Sequence, residues 1–226
     1  MKIFRFDTIG STNLEAWRRI KNGEPMPFVV VAETQSGGYG RKGHVWYSPK
    51  GGLWFSLAFQ GDYRPEVMSL AAAYSVAHTV KEVIDFCPKI RLPNDIVFGR
   101  KKLGGIMIES DAQTHVLGVG LNLNVREFPP ELKNDAVSLH KVARGEVDAE
   151  KFLQLIVGKF FRSLETGNFN VSNWLCCLGR DVKFLCGDRE IAGTFMGLDG
   201  FTVVVERNGE FEECPLALVS EFRRQR

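Results

Sequence analysis

The stretch Glu33–Pro49 constrains this chain more than any other. It reads E-T-Q-S-G-G-Y-G-R-K-G-H-V-W-Y-S-P, with Gly37, Gly38, Gly40 and Gly43 inside it and Gly51 and Gly52 just after. Glycine is costly to order, so this density marks a loop that bends sharply or approaches another group closely. Arg41, Lys42 and His44 stand among the glycines, and backbone N–H groups beside fixed cations make an anion cradle. Trp46 and Tyr47 end the segment, and an aromatic ring next to such a cradle can stack on a base. The apolar run Phe28–Glu33 delivers the loop and reads as a buried strand. Neither G-x-x-x-x-G-K-[ST] nor a G-x-G-x-x-G between strand and helix is present. Residues 36–48 bury little apolar surface to offset the entropy of ordering, so they are expected to be mobile when empty. Taken alone, the segment is also compatible with a surface loop carrying solvated charges.

At 226 residues the chain makes one full domain, or one with a small appendix. A net charge of +2 is too small for a nucleic-acid footprint. The five cysteines, Cys87, Cys176, Cys177, Cys186 and Cys214, form no C-x-x-C pair. That argues against zinc and thioredoxin-like chemistry and suits a reduced compartment. The N-terminus has no signal-type apolar region, and no apolar run is long enough for a bilayer. These features predict a soluble, cytoplasmic protein without a membrane partner.

Local patterning predicts an α+β chain. Strands are expected at 2–6, 28–33, 53–60, 89–92, 96–98, 103–109 and 116–125. A helix starts after Ser11-Thr12-Asn13, with Thr12 and Glu15 spaced for a capping box and Gly23 placed to end it. Further helices are expected over 65–86, 149–164 and 169–178. His78, inside the second of these, reads as structural. From Gly179 the texture changes to short strands separated by Gly, Asn and Asp turns, which suggests a small β-barrel.

Three motifs carry the chemistry. Gly38-Tyr39-Gly40-Arg41-Lys42-Gly43-His44-Val45-Trp46-Tyr47-Ser48-Pro49 resembles the biotin–protein ligase signature G-R-G-R-x-G-R-x-W-x-S-P, with Tyr39 and His44 where arginine is usual. Arg91-Leu92-Pro93-Asn94-Asp95 followed by Lys101-Lys102-Leu103-Gly104-Gly105 resembles the family's K-W-P-N-D … K-[LV]-[AGS]-G, with Arg91 and Leu92 as departures. Gly118-Val119-Gly120-Leu121-Asn122 resembles its G-[IV]-G-[IL]-N strand. Singly, these are a turn, a solvated lysine tip and a strand. Together with Ser11-Thr12-Asn13, in family order, they form a specific set.

The resemblance implies a mixed, largely antiparallel sheet flanked by helices, as in class II synthetase-like ligases, over 1–178, and an SH3-like β-barrel over 179–226. It implies that biotin's carboxylate attacks the α-phosphate of ATP and that a lysine of a biotin carrier domain then takes the biotinyl group. Fixed cations and N–H donors would stabilise the charge that develops, with Mg²⁺ on the phosphates; no metal ligand can be named. Ser11, Thr12, Asn13, Gln35, Gly38, Tyr39, Gly40, Arg41, Lys102 and Gly105 are implied for biotin. Arg41, Lys42, His44, Trp46, Asn94, Gly120 and Asn122 are implied for ATP, and Lys102, Arg41 and Asp95 for catalysis. Asp95 is either near the metal or a helper for the incoming lysine. A homodimer is also implied. A lipoate–protein ligase on the same scaffold is the alternative enzyme, and a non-catalytic biotin-binding regulator the alternative binder. An octanoyl transferase would need a thiol nucleophile, and no cysteine falls in a motif. With motifs beginning at Ser11, no DNA-binding domain is expected before them.

Overall fold

The computed structural model describes residues 1–225. The chain runs β1 (Lys2–Ile9), α1 (Thr12–Lys21), β2 (Phe28–Gln35), β3 (Leu53–Gln60), α2 (Pro65–Ile84), β4 (Lys89–Arg91), β5 (Asp95–Phe98), β6 (Lys101–Asp111) and β7 (Thr114–Leu121). It continues through α3 (Leu139–Ala143), α4 (Ala149–Thr166), β8 (Asp181–Cys186), β9 (Arg189–Asp199), β10 (Thr202–Arg207), β11 (Glu210–Pro215) and β12 (Val219–Arg224). One sheet is ordered β1-β2-β3-β7-β6-β5-β4, the other β11-β10-β9-β8-β12. Among the strand pairs of the described residues, only β1–β2 is parallel. The expected α+β class, with its largely antiparallel central sheet and small C-terminal β-unit, is what the chain adopts.

β3 explains the layering. Seven of its eight residues are buried, because helices cover both sheet faces. Leu53, Phe55, Leu57 and Phe59 join the core made with Met68, Ala72 and Val76 of α2 and Phe152, Ile156 and Phe160 of α4. Residues between them face α1, where Ala58 packs with Ala16, Phe28, Val30 and Val116. Ser56 meets the first turn of α1 on that same face.

Several expectations need correction. Ser11 is the cap of α1, accepting from Leu14 N at 3.5 Å, and the Thr12–Glu15 box does not form. Glu15 is buried and turns instead to Arg18 at 2.6 Å and Arg19 at 2.8 Å. Hydrogen bonding from Arg18 above all holds its carboxyl below the usual range. The helix expected over 169–178 is only a 3₁₀ turn, Ser172–Trp174. Leu175 forms a parallel bridge to Ile90, and Cys176 N donates to Ile90 O at 2.9 Å, so the segment lies along the sheet edge instead of coiling. β7 stops at Leu121, leaving Asn122 just past its end. The short, charged β12 and the five-residue α3 gave no sequence signal. Cys186 and Cys214 are joined by a disulfide between β8 and β11, where the cysteine pattern had suggested a reduced compartment. No helix among the described residues is long and apolar enough to cross a membrane.

Candidate functional site

The site is a trough on the α1 face of the large sheet, and glycine makes its floor. Register places Ser56 opposite Gly118 and Trp54 opposite Gly120. On the other side Gly118 faces Met107, and Gly120 faces Gly105. Alternation therefore brings Gly105, Gly118 and Gly120 to one face, where no side chain rises above the backbone. Neighbours settle onto this bare strip. A Cβ at Gly118 would lie 2.5 Å from Asn13 Oδ1, and one at Gly120 would lie 2.5 Å from Trp46 Nε1. Trp46 also stands edge-on to Trp54, and its buried Nε1–H has no hydrogen-bond partner among the described residues.

A bulge supplies the key cation. Between β5 and β6, Ile96 pairs with Gly104 but Val97 pairs with Lys102, so Leu103 is the extra residue. Leu103 enters the core, and Lys102 is set on the Gly105 face. Lys102 Nζ lies 2.6 Å from Asp95 Oδ1 and 4.9 Å from the centre of the Trp46 ring. Arg91 donates to the other oxygen of Asp95 at 2.7 Å. Asp95 is thus engaged by two cations.

The opposite end is a hydrogen-bonded polar cluster. Gln35 Oε1 accepts from Thr12 N at 2.8 Å and Thr12 Oγ1 at 3.1 Å, and its Nε2 donates to Ser48 Oγ at 2.8 Å. One amide thereby ties the start of α1 to the far end of the glycine-rich loop. Ser56 Oγ lies 2.8 Å from Thr12 Oγ1 and 2.5 Å from Asn13 Oδ1. Tyr39 OH donates to Glu109 Oε1 at 3.1 Å. Burial first, then the Glu109 charge, pushes the Tyr39 hydroxyl up to about 12.

The loop folds back on itself instead of lying open. Trp46 N donates to Gly38 O at 2.9 Å and Gly40 N to His44 O at 2.8 Å, around a 3₁₀ turn at Arg41–Gly43. Those N–H groups are committed internally, so charge recognition falls to side chains. The Arg41 guanidinium reaches Val219 O in β12 at 3.3 Å from both NH groups, and Lys42 Nζ reaches Ser220 Oγ at 3.2 Å. Burial lowers the Arg41 pKa, opposed by the charge of Asp95. His44 is exposed on the same rim.

Trough and loop enclose a cleft of about 740 Å³, within the range of small-molecule sites. Every residue the motifs nominated lines it except Gly38, which sits in an adjoining recess of about 330 Å³ under the loop. Two nominated side chains are already partly engaged. Asn94 Nδ2 donates to Ile106 O at 2.6 Å, and Asn122 Nδ2 to Val137 O at 3.2 Å. Their amide oxygens are what they can offer a ligand. Sequence reasoning missed Ser56, Glu109 and the contribution of β12, whose Ser220, Phe222 and Arg223 line the cleft. The period-two spacing of Glu109 after Gly105 could have revealed that residue; nothing local could have revealed β12.

The Biotin/lipoate A/B protein ligase family matches residues 5–125. The chain is 33% identical over 210 residues to the bifunctional ligase/repressor BirA of Bacillus subtilis, covering 84% of this chain but 63% of that protein. To a biotin–[acetyl-CoA-carboxylase] ligase of Paracoccus denitrificans it is 30% identical over 222 residues, covering 87% and 90%. In structure it is similar to the biotin protein ligase of Aquifex aeolicus solved with biotin and ATP, with a TM-score of 0.87, 26% identity and 99% of each chain covered. The chain therefore belongs to the biotin/lipoate A/B protein ligase family.

Proposed function

We propose that this protein activates biotin with ATP and transfers the biotinyl group to a lysine of a biotin carrier domain of a biotin-dependent carboxylase. The observation that carries the reading is a single cleft with a neutral hydrogen-bonding end at Ser11, Thr12, Asn13 and Gln35 and a cationic end at Arg41, Lys42 and Lys102. A bicyclic urea that ends in a carboxylate suits such a polarity. Its ring would lie at the neutral end, beside Tyr39 and the backbone of Gly40 and Gly105, and its carboxylate beside Lys102.

Lys102 would offset the repulsion between the carboxylate and the α-phosphate. A carboxylate oxygen then bonds to phosphorus, and pyrophosphate leaves. Arg41 and Lys42 would hold the phosphates, with Trp46 stacked near adenine and His44 at the rim. In the second step a lysine amine attacks the acyl carbon and AMP leaves. Asp95, freed from Lys102 as the carboxylate arrives, would accept the proton of that amine. The carboxylates lining the cleft are Asp95, Asp135 and Glu221, and no group of three His, Cys, Asp or Glu suited to a metal occurs among the described residues. These residues make no metal cage, so Mg²⁺ would arrive on the phosphates, and no step is assigned to it.

This reading includes a cytoplasmic homodimer, with a catalytic unit over 1–178 and a barrel over 179–226. In a reducing cytoplasm the Cys186–Cys214 bridge would open, and the barrel would rest on its strand pairing. No cysteine lines the cleft, which disfavours acyl transfer through a thioester.

Pyrophosphate release, followed with biotin or lipoate and then with a carrier domain and mass spectrometry, tests the function. Biotin-dependent release and a biotinylated carrier are expected. Equal or faster turnover with lipoate would overturn the reading.

A further inference from the structure

Glu109 lies near the end of β6, two residues along the α1 face from Met107 and four from Gly105. Its carboxylate gathers three donors. Tyr39 OH reaches Oε1 at 3.1 Å, while Asn13 Nδ2 and Trp17 Nε1 reach Oε2 at 2.9 and 3.0 Å. Tyr39 belongs to the glycine-rich loop, and Asn13 and Trp17 belong to α1. We propose that Glu109 is the positioning residue of the acyl-substrate end, fixing both Tyr39 and Asn13 in the wall of the pocket that reads the substrate ring. The inference rests on the biotin reading above.

A carboxylate only accepts hydrogen bonds. Asn13 must therefore turn its NH₂ toward Glu109 and its Oδ1 toward Ser56, 2.5 Å away. The remaining Asn13 N–H and its oxygen are then presented to a ligand in one orientation. The same carboxylate closes the loop over the pocket through Tyr39. Because the Tyr39 hydroxyl stays protonated well above neutral pH, the donor is always available. The signature with arginine at this position would hold such a carboxylate by charge. Tyrosine holds it by a neutral donor and adds an apolar ring to the pocket wall. Glu109 itself does not line the cleft and acts only through the residues it holds.

The test compares wild type, Tyr39→Phe, Glu109→Ala and Glu109→Gln by steady-state kinetics and by direct biotin binding. Loss of one hydrogen bond to a charged group predicts that Tyr39→Phe raises the KM and Kd for biotin about ten-fold while the KM for ATP holds. Glu109→Ala should be worse, and Tyr39→Phe combined with Glu109→Ala no worse than Glu109→Ala alone, because both changes remove the same contact. Glu109→Gln can still accept from Asn13 and Trp17 and donate to Tyr39, so it should recover most of the biotin affinity. Hydrogen exchange in residues 38–45 without ligand should rise in Tyr39→Phe, and a purely structural role for Glu109 would not split the KM for biotin from the KM for ATP. If Glu109→Ala does not fold, Tyr39→Phe and Glu109→Gln still decide. Wild type that binds no biotin removes the functional reading and this inference together. Wild type that binds biotin, with Tyr39→Phe equal to it in affinity and exchange, removes only the inference.

Discussion

Lys102 depends on its neighbours in an unequal way. It is half-buried, pairs with Asp95 and lies over Trp46. Removing it leaves Asp95 still held by Arg91 at 2.7 Å, so no buried charge is stranded. Lys102→Ala should therefore keep the thermal midpoint within a few degrees, while adenylation falls on the order of 10²–10³ for the loss of one charge aimed at the transition state. Pyrophosphate release beside a melting curve measures both, and near-full activity would remove Lys102 from the chemistry. At this scale the site was largely legible, because the identity of a lysine, an asparagine or a glycine survives in the motif. What each atom touches was not. Asn122 is in the cleft, yet its NH₂ group holds the Val137 carbonyl. That contact is made across 15 residues by a segment without a motif of its own.

β6 and β7 turn those residues into a site by alternation. Glycines at 105, 118 and 120 share one face only because the register pairs Gly105 with Gly120 and Met107 with Gly118. The sequence marked Gly118 and Gly120 as strand glycines of a motif, but not that they receive different neighbours. Asn13 rests on Gly118 and Trp46 on Gly120. A methyl group at either place forces the neighbour packed on it, Asn13 or Trp46, to move, at a cost of roughly 1–3 kcal/mol. The consequences should separate. Gly118→Ala displaces Asn13 and should raise the KM for biotin about ten-fold, while Gly120→Ala displaces Trp46 and should raise the KM for ATP instead. Tryptophan fluorescence should change in the second variant more than in the first. Identical kinetic profiles would mean that the trough is not divided in this way. Elements failed to be legible where pairing beat local pattern. Val171, Trp174, Leu175 and Leu178 are spaced as on one face of a helix, yet Leu175 takes a partner at Ile90, far away in sequence.

The two sheets meet through the glycine-rich loop. Arg41 and Val219 are 178 residues apart, and the guanidinium donates to the Val219 carbonyl while Lys42 holds Ser220. Beneath this contact the core is shared, since Phe184, Phe195 and Phe222 of the barrel belong to the same apolar cluster as Phe55 and Val76. A loop motif can announce cations but cannot say that a distant strand holds them, so this link was invisible in the sequence. It has a consequence for nucleotide binding. Arg41 is desolvated, which lowers its pKa against the pull of Asp95, and the acceptor it reaches by hydrogen bond is a neutral carbonyl oxygen. A phosphate is the stronger partner, because a charge-assisted bidentate bond is roughly twice as strong as a bond to a neutral acceptor. ATP should therefore draw Arg41 away from Val219 and loosen β12 from the loop, even though β12 lies in the other sheet. Hydrogen exchange would read this directly. Amides in 219–224 should change on saturation with ATP, and the change should shrink in Arg41→Ala, where no guanidinium links the two. Unchanged exchange in β12 at saturating ATP would mean that Arg41 keeps its carbonyl and that the phosphates are held by Lys42 and Lys102 alone.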